Sequence, residues 1–485
     1  MKQEDMKKIL EIGVSLSYER DYNRLLERIL QCAMELTFCD AGTLYLCDRE
    51  ALRFKIMRND TLKTYSGGDG NWPELPPVPL QRENVCALAL LENRTISIRD
   101  VKHCEEYDFS GPRRYDAMTG YDTRSMLVVP MQNREGEKIG VLQLINAQDE
   151  EKNVCEFNQD AVLAIESVAS QAAITIQNVR YIRDIRELFQ SFVRVMSAAI
   201  DERTPYNANH ARNMAECGGR FADYLGTCKG QKRFSMEQKE ELIMTILLHD
   251  IGKLVTPLEV MNKAKRLLPE QYSAFRHRME VLRLRADIDR LAGRITAGEK
   301  ETAVSQIQEA VRLVDEANEA GFAGDELLEK LALLRNRTYT GEDGEIHPWL
   351  EEEEYAMLSI RRGTLSKEER EIMEEHVSVT DKLLSQIRFP ADLMHVREWA
   401  AAHHEYLNGT GYPNHRQGDE IPYEVRMITI LDIFDSLVAD DRPYKRAMPV
   451  ERALSVLDSM ANKEGKLDPE LTELFIQSRC WNPEN

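Results

Sequence analysis

The 485-residue sequence has no apolar run approaching the roughly 18 residues that a membrane-spanning helix needs, so no such segment is expected. It has no surplus of positive charge. Lys and Arg number 63 against 83 Asp and Glu, a formal net charge of −20. A chain this acidic offers no cationic footprint for duplex nucleic acid or an anionic membrane. Its nine cysteines form no CxxC pair. Their odd number and irregular spacing fit a reducing compartment, where they act as small hydrophobes. The N-terminal Met1-Lys2-Gln3-Glu4-Asp5 leads into an amphipathic stretch without the apolar core of a signal peptide, so a cytoplasmic location is expected. Histidine is scarce, at ten residues, yet His403 and His404 are adjacent.

What is present is ample apolar material, 42% of the residues, with 30% charged. That is enough for sizeable cores, and the length fits about three units, or two with an insertion. Residues 1–40 read as helix, with Ile9, Ile12 and Leu16, then Leu25, Ile29, Ala33 and Leu36, at helical spacing. Residues 42–146 read mainly as strands: Leu52, Phe54 and Ile56 alternate with polar neighbours, as do Ile96 and Ile98. Ser125–Met131 and Ile139–Asn146 are further strands around the turn at 133–136, and 66–73 is a Gly/Pro-rich loop. From Asn158 to Arg203 no Gly or Pro interrupts a helical stripe of Val162, Ile165, Val168, Ala172, Ile176 and Val179. Ile182, Ile185, Leu188, Phe189 and Phe192 continue it. One continuous connector, able to pair with a second copy, is expected there, with a break near 178–183 as the alternative. Beyond Arg203 the periodicity is almost all helical. Residues 266–363 differ, being highly charged and punctuated by glycines, and read as a helical hairpin or small bundle inserted into the second domain.

Three anchors in that second half carry chemistry. An apolar helix over 242–248 ends in His249-Asp250-Ile251-Gly252-Lys253. An imidazole beside a carboxylate offers ligands to a divalent cation, and a carboxylate can bridge two. His403-His404-Glu405 precedes a turn-rich loop, Gly409-Thr410-Gly411-Tyr412-Pro413, which is a stiff platform for a tyrosine ring. Asp432 lies inside the apolar run Ile428–Phe434, where a carboxylate is costly unless paired or metal-bound. A cationic cluster at 442–446 follows.

Together, over about 200–267 and 364–475, these anchors resemble the HD-GYP family of cyclic-di-GMP phosphodiesterases, a branch of the HD metal phosphohydrolases. The resemblance implies an all-α HD-type helical bundle over 203–485, with 266–363 as a helical insertion. It also implies a metal set of His210, His249, Asp250, His376, His403, His404 and Asp432. One metal would take His210, His249, Asp250 and Asp432; the other would take His376, His403 and His404, with Asp250 bridging. The implied metals are two divalent transition ions, iron first and manganese as substitute. In-line attack of a metal-bridging hydroxide would open cyclic-di-GMP to linear pGpG, with further cleavage to GMP left open. Asp250 and Lys253 would be catalytic. Lys253, Tyr412, Arg442 and Lys445 would contact substrate.

The sequence departs from the family at Asn408, where an Asp is usual, and at Tyr206, where some members carry a Glu for a third metal. An extra residue between Asp432 and Arg442 makes the Arg442 and Lys445 correspondence approximate. Residues 1–180, a helix–strands–helix unit with Gly140–Asn146, Phe157 and Asp160, resemble a GAF domain: an α+β fold with an antiparallel sheet flanked by helices. Residues 181–202 would be its connector helix. Asn146, Phe157 and Asp160 loosely match a cyclic-nucleotide motif, but Ala147 stands where that motif has Lys. The GAF ligand is therefore an unknown small molecule. His103 and Cys104 read as structural rather than as haem or bilin ligands. A homodimer regulated through the GAF domain is expected. The rival readings are an HD-type hydrolase of another cyclic dinucleotide or phosphoester, and a non-catalytic cyclic-di-GMP-responsive scaffold.

Overall fold

A computed structural model of the chain describes residues 3–19, 21–48, 50–67, 75–133, 135–203, 209–341, 344–439 and 447–482. The chain divides into two compact units, Met1–Leu188 and Phe189–Asn485. The first is α+β and the second is helical, as expected from the sequence.

The first unit opens with α1 (Gln3–Tyr18) and α2 (Tyr22–Thr37). Asp21 caps α2 by accepting from the Arg24 amide at 2.8 Å. The strands are β1 (Cys39–Asp48), β2 (Ala51–Asn59), β3 (Thr64–Ser66), β4 (Val78–Pro79), β5 (Ile96–Ile98), β6 (Met126–Gln132), β7 (Lys138–Gln148) and β8 (Val154–Cys155). They form one sheet, with backbone order β3-β2-β1-β7-β6-β5 and antiparallel pairing throughout; β4 joins β2 and β8 joins β7. Successive side chains of the central strands enter different cores. Leu44, Leu46, Leu142 and Leu144 face a core shared with α1, α2 and α5, whereas Tyr45 and Val141 face one shared with α3.

Two short helices interrupt the region read mainly as strands, α3 (Val85–Glu92) and α4 (Ser110–Thr119). Asn84 starts α3 by accepting from the amides of Cys86 and Ala87. Of the loop expected at 66–73, residues 68–73 lie outside the described residues, and Ser66 ends β3.

Helix α5 (Gln159–Asp201) runs unbroken for 43 residues. In the first unit it buries Ile165, Val168, Ala172 and Ile176. Past these, Ile182, Ile185, Leu188 and Phe192 stay 59–70% exposed. No helix among the described residues is long and apolar enough to cross a membrane.

The second unit continues with α6 (His210–Thr227), α7 (Met236–Leu248), a 3-10 helix (Ile251–Val255) and α8 (Leu258–Met261). After an inserted segment come α13 (Lys367–Leu384), α14 (Val396–Ala400), α15 (Tyr423–Val438), α16 (Val450–Asn462) and α17 (Pro469–Ser478). Buried residues of α6, α7 and α15–α17 form one core. A second gathers Val193 and Ile200 of α5 with Leu248, Leu384 and Val396.

The inserted segment holds α9 (Pro269–Leu291), α10 (Ala297–Glu319), α11 (Asp325–Arg335) and α12 (Glu352–Leu358) around a core of their own. It also carries a two-stranded ribbon, β9 (Thr338–Thr340) with β10 (Ile346–Pro348), which the helical reading of the sequence did not foresee. Its base is polar and tight. Arg266, wholly buried, donates to the carbonyls of Ala317 at 2.6 Å, Leu358 at 3.3 Å and Gly363 at 3.3 Å. Lys263 pairs with both oxygens of Glu369 at 2.7 Å.

Replacing Arg266 by Ala leaves those carbonyls without their donor and should destabilise the inserted helices by about 3 kcal/mol. The expected result is hydrogen-exchange protection lost in 269–358 and kept in α6, α7 and α15. Equal loss in all of them would show that they unfold as one.

Candidate metal centre

The residues of the centre come from five places in the chain, each fixed by its own local chemistry. Helix α7 is apolar on its buried side and is started by a capping box at Ser235 and Gln238. It ends at His249, and Asp250 leaves helical geometry (φ −100°, ψ 10°) to start the 3-10 helix. Gly252 lies so close to α13 that a Cβ there would meet the His376 carbonyl at 1.8 Å. Thr380, one turn after His376, accepts from the Gly252 amide and donates to the His249 carbonyl, both at 3.0 Å. Those two bonds fasten the His-Asp turn to α13. Thr429, three residues before Asp432 on α15, donates to the His403 carbonyl at 2.8 Å. His210 begins α6.

Asp250, 6% exposed, stands at the middle. Its Oδ2 lies 3.3 Å from His249 Nε2 and 4.0 Å from His210 Nε2. Its Oδ1 lies 3.4 Å from His376 Nε2 and 3.8 Å from His403 Nε2. Lys253 Nζ is 2.5 Å from Oδ2. Asp432 also faces both sides, with Oδ1 3.3 Å from His210 Nε2 and Oδ2 3.6 Å from His404 Nδ1. Two ligand groups result, His210/His249/Asp250 and His376/His403/His404, each with its donor atoms within 4.8 Å of one another.

Four imidazoles are oriented through Nδ1. His249 contacts the Ile246 carbonyl at 2.6 Å, His376 that of Met373 at 2.6 Å, and His403 that of Ala400 at 2.7 Å. His210 Nδ1 meets Asp435 Oδ2 at 2.6 Å. A carbonyl at Nδ1 requires the proton there and leaves Nε2 with a lone pair. Yet Nε2 of His249, His376 and His403, and Oδ1 of Asp250, are buried without a hydrogen-bond partner. Buried polar atoms are normally satisfied. Imidazole lone pairs converging on carboxylates suit divalent cations of the zinc, iron or manganese kind, so the residues fit a metal pair.

The electrostatics agree with that fit. Burial pushes the Asp250 carboxyl up, but His249 and Lys253 outweigh it and hold it well below the usual range. Burial and the neighbouring His404 and His249 rings keep His403 neutral, and burial lowers His404 to about 3 despite Asp432. His210 behaves oppositely. Burial disfavours its charge, but Asp432 and Asp435 override that and push its pKa up to about 10.

The Gly-Tyr-Pro loop is fastened beneath this cluster. Glu405, buried, accepts from the amides of Asn414 at 2.7 Å and Arg416 at 3.0 Å. A Cβ on Gly411 would meet the Tyr406 amide at 2.3 Å and the His404 carbonyl at 2.4 Å. The Tyr412 ring packs on His404, with centroids 4.8 Å apart, and edge-on to His376. Tyr206, Arg442 and Lys445 lie outside the described residues.

Asp435, missed at the sequence level, carries a signal visible in retrospect. It follows Asp432 by three residues, so both carboxylates share one face of an otherwise apolar helix. In the first unit, Asn146 is fully used internally. It accepts from the amides of Arg124 and Ser125 and donates to Tyr121 OH and the Asp122 carbonyl. His103 is exposed and pairs with Asp100 at 2.7 Å.

A GAF domain family model matches residues 21–176, and an HD domain family model matches residues 353–471. The chain contains a GAF domain and an HD domain. The HD match takes in nearly all of α12 together with His376, His403, His404 and Asp432, and helices α9–α11 separate it from His210, His249 and Asp250. Over 108 residues the chain is 39% identical to the 3'3'-cGAMP-specific phosphodiesterase 3 of Vibrio cholerae serotype O1, covering 22% of each. Over 121 residues it is 36% identical to the cyclic di-GMP phosphodiesterase of Thermotoga maritima, covering 25% of this chain and 32% of that protein. Over 116 residues it is 40% identical to the 3'3'-cGAMP-specific phosphodiesterase 2 of the same Vibrio, covering 24% and 21%. The chain thus spans between about a fifth and a third of the length of these relatives.

An imidazole must be neutral to ligate, so a metal held by His210 would have to displace the proton that Asp432 and Asp435 hold there. Below pH about 10 the apparent metal affinity should therefore rise with pH, by about tenfold per unit for that one proton. Titration of metal-stripped protein at several pH values checks the slope. Asp435→Ala should weaken metal binding by about 10–100-fold while circular dichroism stays unchanged.

Proposed function

We propose that the chain is a metal-dependent phosphodiesterase that opens a cyclic dinucleotide, cyclic-di-GMP first. The observation that carries this is the set of buried, unpartnered Nε2 atoms around Asp250. One ion would be held by His210, His249, Asp250 and Asp432, and a second by His376, His403 and His404, with Asp250 shared. Iron or manganese suits those donors. When bound, such a pair supplies an activated water and neutralises charge at phosphorus.

The chain's own residues supply the rest. Asp250 and Asp432, held ionised at the junction of the two groups, fix the ligand geometry. Lys253, paired to Asp250 and 19% exposed along its side chain, would meet a non-bridging phosphate oxygen once its partner is engaged. Tyr412 walls the histidine side of the site, and Arg442 and Lys445 would reach the distal part of the substrate. Residues 203–485 would form the catalytic domain. Residues 1–180 would form a regulatory GAF domain with a small ligand, and 181–202 the connector. The exposed Ile182, Ile185, Leu188 and Phe192 would close a homodimer along α5. The second reading is a 3'3'-cGAMP substrate, favoured by the names of two of the three relatives above.

Protein purified without oxygen should release a linear dinucleotide from cyclic-di-GMP, 3'3'-cGAMP or both when iron or manganese is supplied, and Asp250→Ala should release none. Chromatography of the products decides between the substrates. Absence of hydrolysis of either by metal-loaded protein contradicts the proposal.

A further inference from the structure

Arg203, two residues past the end of α5, reaches the segment that follows Asp250. Its Nη2 donates to the Thr256 carbonyl at 2.9 Å and its Nη1 to the Lys253 carbonyl.

Those carbonyls sit in and just beyond the 3-10 helix Ile251–Val255, whose N-cap is Asp250 and whose third residue is Lys253. The Lys253 carbonyl also accepts from the Thr256 amide at 3.2 Å, and the guanidinium adds a second donor to it while its other nitrogen serves the Thr256 carbonyl. The two nitrogens of a planar guanidinium span both carbonyls, a reach that the single nitrogen of an ammonium lacks. The same stretch is also held by Thr380 through the amide of Gly252 and the carbonyl of His249. The segment is therefore fastened both to α13 and to Arg203. It carries Lys253, whose Nζ lies 2.5 Å from Asp250, and it follows directly on Asp250, whose carboxylate is aimed at both histidine groups.

We propose that Arg203 is a positioning residue for Asp250 and Lys253: it holds the 3-10 segment against the metal centre and fastens that segment to α5. The proposal rests on the phosphodiesterase reading only for its kinetic part. Arg203 touches neither proposed ligands nor substrate, so its loss should lower turnover without emptying the site. A displacement of about 1 Å in reacting groups costs about 10²-fold.

The test uses the full chain as parent, Arg203→Ala and Arg203→Lys. In Arg203→Ala, kcat should fall about 10²-fold with KM little changed and the metal content of the parent retained. Arg203→Lys should fall between the two, because its single nitrogen lacks the fixed fork that spans both carbonyls. In metal-free protein, hydrogen exchange over 251–257 should quicken in the order parent, Lys, Ala, while α16 and α17 keep the parent rate. Parent-like kcat and parent-like exchange in Arg203→Ala overturn the proposal. So does a loss of activity that merely follows the folded fraction. If Arg203→Ala does not fold, Arg203→Lys against parent decides by the same readings. If the parent hydrolyses no cyclic dinucleotide, the phosphodiesterase reading fails, and the exchange measurement alone decides the role of Arg203.

Discussion

An ionised carboxylate buried among imidazoles is the constraint on which the helical unit depends. Asp250 is 6% exposed and faces His210 and His249 with one oxygen, His376 and His403 with the other. A buried charge is tolerated only when paired or metal-bound. Meeting that condition draws α6, α7, α13, the turn after α14, and α15 to one point. The supporting contacts have few substitutes. Gly252 admits α13, Thr380 ties that helix to the His-Asp turn, and Thr429 ties α15 to the double histidine. The Nδ1 contacts then turn four rings so that their Nε2 atoms point inward.

The inserted helices are compatible with that convergence because they ask little of it. They leave after α8 and return before α13, and their apolar residues pack on one another. The junction is made by Arg266, by the Lys263–Glu369 pair, and by Thr364, which donates to the Lys263 carbonyl at 2.8 Å. With its ends drawn together, the insertion lets α13 lie against the 3-10 helix although the two are far apart in sequence. That separation is also why the HD family match begins only at the last inserted helix, while three of the seven proposed ligands lie before the insertion.

Much of this was legible in the residues. Adjacent His249-Asp250 and His403-His404, and a lone Asp432 in an apolar helix, are chemically conspicuous, and all converge. The continuity of α5 was legible because nothing in Asn158–Arg203 breaks a helix. Other features left no pattern. Strand β1 is buried on both faces, so it does not alternate, and the three-residue strands of the ribbon are too short to show a period. Asp435 was hidden because a carboxylate one turn from another reads as an ordinary polar position until a histidine is seen against it. The clamp by Arg203 depends on main-chain carbonyls, which no side-chain motif encodes. The packing of the Tyr412 ring on His404 and His376 likewise left no pattern, because it comes from the folding of the loop over Glu405.

The central claim is that Asp250 joins two metal positions in one centre. Electron paramagnetic resonance of the protein loaded with manganese tests it most directly. Two ions bridged by one carboxylate at the roughly 3.5–4 Å of two-metal sites should give an exchange-coupled multiline signal, with about two manganese ions bound per chain. An uncoupled six-line signal that saturates at one ion per chain would contradict the account.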